Sequence, residues 1–411
     1  MPDLGEAKPA PQLTMTAVDV EALAEDFVSY FTQFSPRFRR KEQAKWALKY
    51  MQGLLLPLPH KSVQAIAMAV EGGNIRNMQQ MLGAGKWDDD KLLLQLWSLV
   101  QDQLAEEDGV FIVDGSGFPK KGVHSVGVAR QWCGNTGKVD NCQVGVFVGY
   151  TATNGSLLLD RRLFMPQRWF TEDYDQRRLK NEVPEERQHQ TAGQLALQML
   201  QNLCQHGLSG RWVTADEEFG KSPPFLDGVD DLGLQYFAEV AVNTHVWQTR
   251  PETYVKPWSG RGRPTKQIYL KPGESKPIPV SKLAAGLPES RFVRLKFREG
   301  SKGPQVADFA QLRVVATRNH LPGPDVWLVL KRSLDGEMKY FLSNASAETV
   351  LSDHAKVSGL RWPIESCFEE CKQLVGMSDY EARTWRGWHH HMTLSILAHA
   401  FLVLNRSKKG V

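Results

Sequence analysis

Val110-Phe111-Ile112-Val113-Asp114-Gly115-Ser116-Gly117 is the stretch on which the reading of the fold turns. A short run of β-branched and aromatic residues predicts a buried strand, and the Asp-Gly-Ser-Gly that follows predicts that it ends in a turn. Further along, Trp212-Val213-Thr214-Ala215 followed by Asp216-Glu217-Glu218-Phe219-Gly220 repeats the arrangement. Each aspartate alone has an ordinary structural reading, as a turn-former before glycine or as a helix N-cap. Each is also placed where a strand end can present a carboxylate to a metal ion.

A third acid comes from a different element. In Arg361-Trp362-Pro363-Ile364-Glu365, the proline suits the first turn of a helix. Ile364, Phe368, Cys371 and Val375 then recur at helical spacing and commit one stripe to a core. Glu365, Glu369 and Lys372 share another face.

Arg361-x3-Glu365-x6-Lys372 resembles the Tyr-x2-Arg-x3-Glu-x6-Lys signature of insertion-sequence DDE transposases, in the group that forms DNA hairpins. Ser358 stands where that group has tyrosine. The resemblance runs from about Gly109 to about Leu404 and includes Gly115, Gly117 and Pro119 after the first aspartate. It implies an α/β chain with an RNase H-like catalytic core. It also implies that Asp114, Asp216 and Glu365 are the catalytic acids, holding two Mg²⁺ or Mn²⁺ ions, that Lys372 contacts DNA, and that Arg361 contacts the scissile strand or pairs with a carboxylate.

The order of elements agrees. Ser125–Arg130, Gln143–Tyr150 and Ser156–Leu163 read as strands of an antiparallel meander, Gln188–Gln205 as a helix, and the Asp216 strand follows. Tyr236–Val246, Val326–Leu330 and Lys339–Leu342 are further strand candidates, and Glu348–Ser358 leads into the Glu365 helix. Asp216 and Glu365 are 149 positions apart, far more than one connection needs. The Pro-, Gly-, Lys- and Arg-rich stretch between them predicts an inserted β-rich domain. The division expected is a flexible N-terminus at 1–14, a helical DNA-binding domain at 15–107, the core at 108–246 and 325–411, and the insertion at 247–324.

Ahead of the core, Val20–Phe34, Ala44–Leu55, Val63–Val70 and Leu92–Leu104 carry helical periodicity. Between Arg37 and Lys49 stand six basic residues, Arg37, Arg39, Arg40, Lys41, Lys45 and Lys49, against one acid, Glu42. They form either a solvated helix face or a surface for DNA phosphates. In the insertion, Arg294, Lys296 and Arg298 alternate with Val293, Leu295 and Phe297, which predicts a basic strand face, with Arg291 and Lys302 nearby. Ser259-Gly260-Arg261-Gly262-Arg263-Pro264 contains the Arg-Gly-Arg-Pro core of a minor-groove hook, offering Arg261 and Arg263 to DNA.

The chain has 411 residues, 42% of them hydrophobic and 23% charged, the balance of a soluble globular protein. A net charge of +4 is slight for a nucleic-acid binder, so DNA affinity has to come from local clusters. Five irregularly spaced cysteines make no disulfide framework, which points to a reducing cytosol. The first residues lack the apolar run of a signal peptide, and Thr393–Leu404 is too short to span a bilayer. His389-His390-His391 point in different directions on a helix and cannot share one metal; Cys367 and Cys371 read as core.

The function expected is a DNA transposase that binds the terminal inverted repeats of its element, nicks DNA by hydrolysis and joins the 3′-OH to target DNA, as a homodimer on DNA. The alternatives are a catalytically inactive DNA-binding protein of the same fold and an RNase H-like nuclease without strand transfer.

Overall fold

The computed structural model describes residues 17–258, 263, 265–300 and 303–409, so the N-terminal stretch 1–14, Arg261 and Lys302 lie outside the described residues. The chain begins with five helices: α1 (Ala17–Thr32), α2 (Lys41–Leu55), α3 (Val63–Ala69), α4 (Ile75–Gly83) and α5 (Asp89–Gln103). Ser62, Asn74 and Asp88 cap the last three, each side-chain oxygen accepting from backbone N–H groups of the first turn. The sequence reading did not single out α4, although Ile75, Met78, Met81 and Leu82 recur at helical spacing, because it spans only nine residues between two short breaks.

Strands follow: β1 (Val110–Pro119), β2 (Ala129–Cys133), β3 (Lys138–Ala152) and β4 (Gly155–Phe164). Next come α6 (Asp175–Lys180), α7 (Ala192–Gln205), β5 (Trp212–Ala215), α8 (Glu217–Gly220), α9 (Pro223–Asp231) and β6 (Gln235–Val240). β3 pairs antiparallel with both β1 and β4, while β5 pairs parallel with β1 and with β6. The order β4-β3-β1-β5-β6, three antiparallel strands and then two parallel ones, is that of an RNase H-like core. Consecutive residues of β3 from Gly145 to Tyr150 are buried, so both faces of the sheet are covered by helices.

Two strand expectations need correcting. β1 does not end at Asp114 but runs on to Pro119, pairing through Gly115, Ser116 and Gly117 with Val146, Gly145 and Val144. Glycine there is required by close approach: a Cβ at Gly117 would lie 2.7 Å from Cys133 Sγ. The expected strand at Ser125–Arg130 begins later, as β2.

The stretch 247–324 is β-rich, and most of its strands extend the same sheet. β7 (His245–Trp247), β8 (Thr253–Val255), β9 (Ile268–Leu270), β10 (Ile278–Pro279), α10 (Val280–Ala285), β11 (Val293–Gly300) and β12 (Gly303–Arg318) are followed by β13 (Leu321–Arg332) and β14 (Met338–Ser343). The sheet continues from β6 through β14, β13, β12 and β7 to β10, with β11 also on β12; β8 and β9 pair separately. Positions 246/247 and 324/325 therefore fall inside β7 and β13.

The chain closes with α11 (Leu351–Gly359), α12 (Pro363–Leu374) and α13 (Trp385–Lys409). α13 joins the N-terminal helices to the core. Tyr30 Oη donates to the Leu397 carbonyl at 2.9 Å, Tyr50 Oη meets His391 Nδ1 at 2.9 Å, and Trp87 stacks on His390 at 3.6 Å. The adjacent histidines are thus buried structural groups; burial pushes His391 down to about 4, which keeps it neutral. At the same junction the fully buried Arg161 of β4 lies 3.2 Å from Asp160 and 3.5 Å from Asp89 of α5.

Candidate active site

The parallel register of β1, β5 and β6 places Val113, Ala215 and Ala238 side by side. The residue after each is acidic, so Asp114, Asp216 and Glu239 stand at one level across three neighbouring strands. Asp114 Oδ1 accepts from Gly115 N at 2.7 Å. Asp216 caps α8, its Oδ1 accepting from Glu218 N at 3.0 Å and Phe219 N at 3.4 Å. Glu239 was not foreseen, because its place beside Asp216 depends on strand pairing. Its carboxylate is paired with Lys339 at 3.1 Å.

Glu365 reaches this group from the first turn of α12. A close approach brings the helix in, since a Cβ at Gly149 of β3 would lie 3.3 Å from Ile364 Cδ1; another seats α11 on β11, since a Cβ at Gly359 would lie 2.2 Å from the Phe297 carbonyl. Arg361, at the corner between α11 and α12, links the acids. Its guanidinium is 3.5 Å from Asp114 Oδ2 and 3.6 Å from Glu365 Oε1. Glu369, one turn on, is exposed and accepts from Gln373 Nε2 at 3.1 Å.

The electrostatics are those of crowded carboxylates. Burial, then the neighbouring charge of Asp216, push Asp114 up to about 7 against the opposing pull of Arg361. Burial also raises Asp216, again opposed by Arg361. Lys372 in the last turn of α12 is half-buried between Phe118 and Phe368, at 5.7 and 5.9 Å from their rings. Burial lowers its pKa while the charge of Asp114 supports it.

These donors suit a hard divalent cation in kind. They are carboxylate oxygens only, and Asp114 and Asp216 are crowded enough that a cation between them would relieve their repulsion. Among the described residues no three His, Cys, Asp or Glu side chains converge as a ready-made ligand set. The expected three-acid cage is not closed, because Arg361 stands between Asp114 and Glu365.

A cavity of about 220 Å³ adjoins the acids, lined in part by Arg298, Lys331, Lys339, Arg361, Trp362 and Glu365. Here the sequence reading of β11 needs correcting. A bulge between Lys296 and Arg298 breaks the alternation, and Arg298 turns to stack on Trp362 at 4.3 Å. Arg294 is paired with Asp308 at 2.9 Å, and Lys296 with Glu299. Arg263 is exposed.

The N-terminal basic residues also divide. Arg37 donates to Gln95 Oε1 at 3.0 Å, and Lys49 to the Glu71 carbonyl. Lys41 is exposed, and Lys45 lies 5.4 Å from the Trp46 ring. Arg39 and Arg40 line a groove of about 680 Å³ together with Trp46, Asn77, Gln80 and Lys86. The last three belong to α4 and its exit, and their meeting with Arg39 and Arg40 depends on how α4 packs against α2.

Among known proteins, the family described as DDE superfamily endonuclease matches residues 33–304, a span holding Asp114 and Asp216 but ending before Glu365. A "Probable transposase for insertion sequence element IS701" from Microchaete diplosiphon is 23% identical over 363 residues, covering 87% of this chain and 80% of its own. The crystal structure of the NurA nuclease from Sulfolobus solfataricus covers 68% of this chain and 80% of its own at 11% identity, with a TM-score of 0.29, too distant to carry any argument. Nucleases of the matched superfamily generally use divalent metal ions and act on DNA. Among the described residues no helix is long and apolar enough to cross a membrane. Similar over most of its length to an insertion-sequence transposase, the chain has an RNase H-like core and belongs to the DDE superfamily endonuclease family.

Proposed function

We propose that this transposase binds the terminal inverted repeats of its element, hydrolyses a phosphodiester bond at each end, and joins the freed 3′-OH to target DNA by transesterification. The observation that carries the reading is the meeting of Asp114, Glu365 and Arg361 at the strand level that also holds Asp216. Asp114, Asp216 and Glu365 would hold Mg²⁺ or Mn²⁺, two ions at full loading. Such ions activate the attacking oxygen and relieve charge on the leaving one. Asp114 and Asp216 keep their places through β1 and through the α8 cap, so two of the three acids have fixed positions of their own. Lys372, at the far end of α12, is set to meet a phosphate of the strand being cut.

End recognition is assigned to the helical region 15–107, through the groove of Arg39, Arg40, Asn77, Gln80 and Lys86. The stretch 247–324 supplies sequence-tolerant contact, chiefly through Arg298, which completes the basic wall beside the acids. Joining two ends calls for two copies of the chain, and the acting species is taken to be a homodimer on DNA.

The test is incubation with a linear fragment carrying the element's ends, with and without Mg²⁺. Cleavage at the ends with Mg²⁺, lost in EDTA, followed by joining to a second DNA, is the expected result. Full activity in EDTA or a requirement for zinc overturns the chemistry. Cleavage without joining identifies a nuclease, and end binding without cleavage a regulator of the same fold.

A further inference from the structure

Arg361 stands where the site itself calls for a cation. Its guanidinium touches Asp114 on one side and Glu365 on the other, at 3.5 and 3.6 Å, and its side chain is 25% exposed. Glu239, the nearby acid at the level of Asp216, is already paired with Lys339. One guanidinium thus bridges Asp114 and Glu365, while Asp216 caps its own helix, and no three acids converge among the described residues.

We infer that Arg361 is a resident counter-ion that keeps divalent cations from the site until a DNA phosphate draws it away, so that metal and DNA bind cooperatively. This rests on Asp114, Asp216 and Glu365 being the metal ligands. A guanidinium and a divalent ion cannot both occupy the space between Asp114 and Glu365, because they are like charges competing for the same carboxylate oxygens. The cavity beside Arg361 gives it somewhere else to go. Arg298, Lys331 and Lys339 line that cavity, three cations besides Arg361 against the two acids Glu239 and Glu365, so the wall attracts a phosphate from solution. A phosphate held there offers Arg361 a planar, two-pronged partner at least as good as two separate carboxylates at 3.5 Å or more. Moving Arg361 onto it frees Asp114 and Glu365 together. The coupling is reciprocal: whatever DNA does for metal affinity, metal does for DNA affinity.

The experiment titrates the full chain with Mn²⁺ alone, following free Mn²⁺ by electron paramagnetic resonance, with and without a duplex carrying an element end. The Asp114→Asn chain with the same duplex sets the background from DNA-bound ions. Wild-type protein is expected to bind Mn²⁺ weakly alone and more tightly with DNA, by a factor on the order of 5–150. Arg361→Ala is expected to bind Mn²⁺ tightly without DNA and to gain little from it. Arg361→Lys, which keeps the charge, should remain DNA-dependent. The inference is overturned if wild-type affinity is the same with and without DNA, a measurement that needs no variant, or if a folded Arg361→Ala binds no more tightly than wild type. If wild-type protein with DNA holds no more Mn²⁺ than Asp114→Asn, the ligand assignment itself fails along with the inference.

Discussion

Val113 and Ala215 are partners in the parallel register of β1 and β5, and each is followed by an aspartate. Two carboxylates are thereby held at one level by backbone pairing, in a buried place that disfavours their charge. Asp114→Asn is expected to abolish strand cleavage while leaving end binding intact, as read by gel shift and cleavage of one labelled fragment.

The same residue sets a pH dependence of stability. Asp114 is raised to about 7, above its ordinary value of 3.8, so the folded chain holds this proton more tightly than the unfolded chain does. Stability from this group is full below about pH 4 and is lost as pH rises towards 7, at about 1.4 kcal/mol per pH unit. Metal-free wild-type protein should therefore lose thermal stability relative to Asp114→Asn between pH 5 and pH 8. A constant difference across that range would remove the buried carboxylate from the account.

Glu365 and Glu369 share one helix, yet only Glu365 is paired with Arg361. Glu365→Gln is expected to abolish cleavage with end binding preserved, whereas Glu369→Gln should leave cleavage measurable. The reverse outcome would mean that α12 presents its other acid to the strands.

The basic strand offers DNA fewer open cations than its alternation suggests. Arg298→Ala should flatten log K against log[salt] by about 0.9 for a lost phosphate contact. Arg294→Ala should change it little, because Asp308 already neutralises that side chain. Equal effects, measured by fluorescence anisotropy over a salt series, would count against the assignment.

Arg161 is buried against Asp160 and Asp89 at the seam between β4 and α5. Arg161→Ala removes the guanidinium shared by the two carboxylates, leaving Asp160 to Arg162 and Asp89 to Thr393, and should cost about 1.5–3 kcal/mol of stability in denaturant unfolding. A loss within 1 kcal/mol would show that water reaches the seam.

How much of this was legible in the sequence follows from the range over which each residue is determined. Asp114 and Asp216 were visible because a buried strand writes itself as a continuous apolar run, and the acid after it breaks the run. Glu365 was visible through its spacing to Arg361 and Lys372. The continuation of β1 through Gly115, Gly117 and Pro119 was not, since those residues mark turns elsewhere, whereas here all three pair with β3 and Gly117 serves a close approach to Cys133. Glu239, the Asp308 partner of Arg294 and the union of 247–324 with the core sheet all depend on pairings between distant strands. The bulge that turns Arg298 towards Trp362 depends on one extra residue against β12, which no periodicity records.

The last helix supplies the anchors of the first ones. Leu397, His391 and His390 of α13 receive Tyr30, Tyr50 and Trp87, so the N-terminal helices lack their packing surface until the end of the chain has been made. During synthesis the groove of Arg39 and Arg40 and the acids would mature together, once α13 has been made, and not in the order of their codons. A chain cut short before Trp385 would lose its beginning as much as its end. The mass of an early-terminated product would be most of the protein; its competence would be none of it.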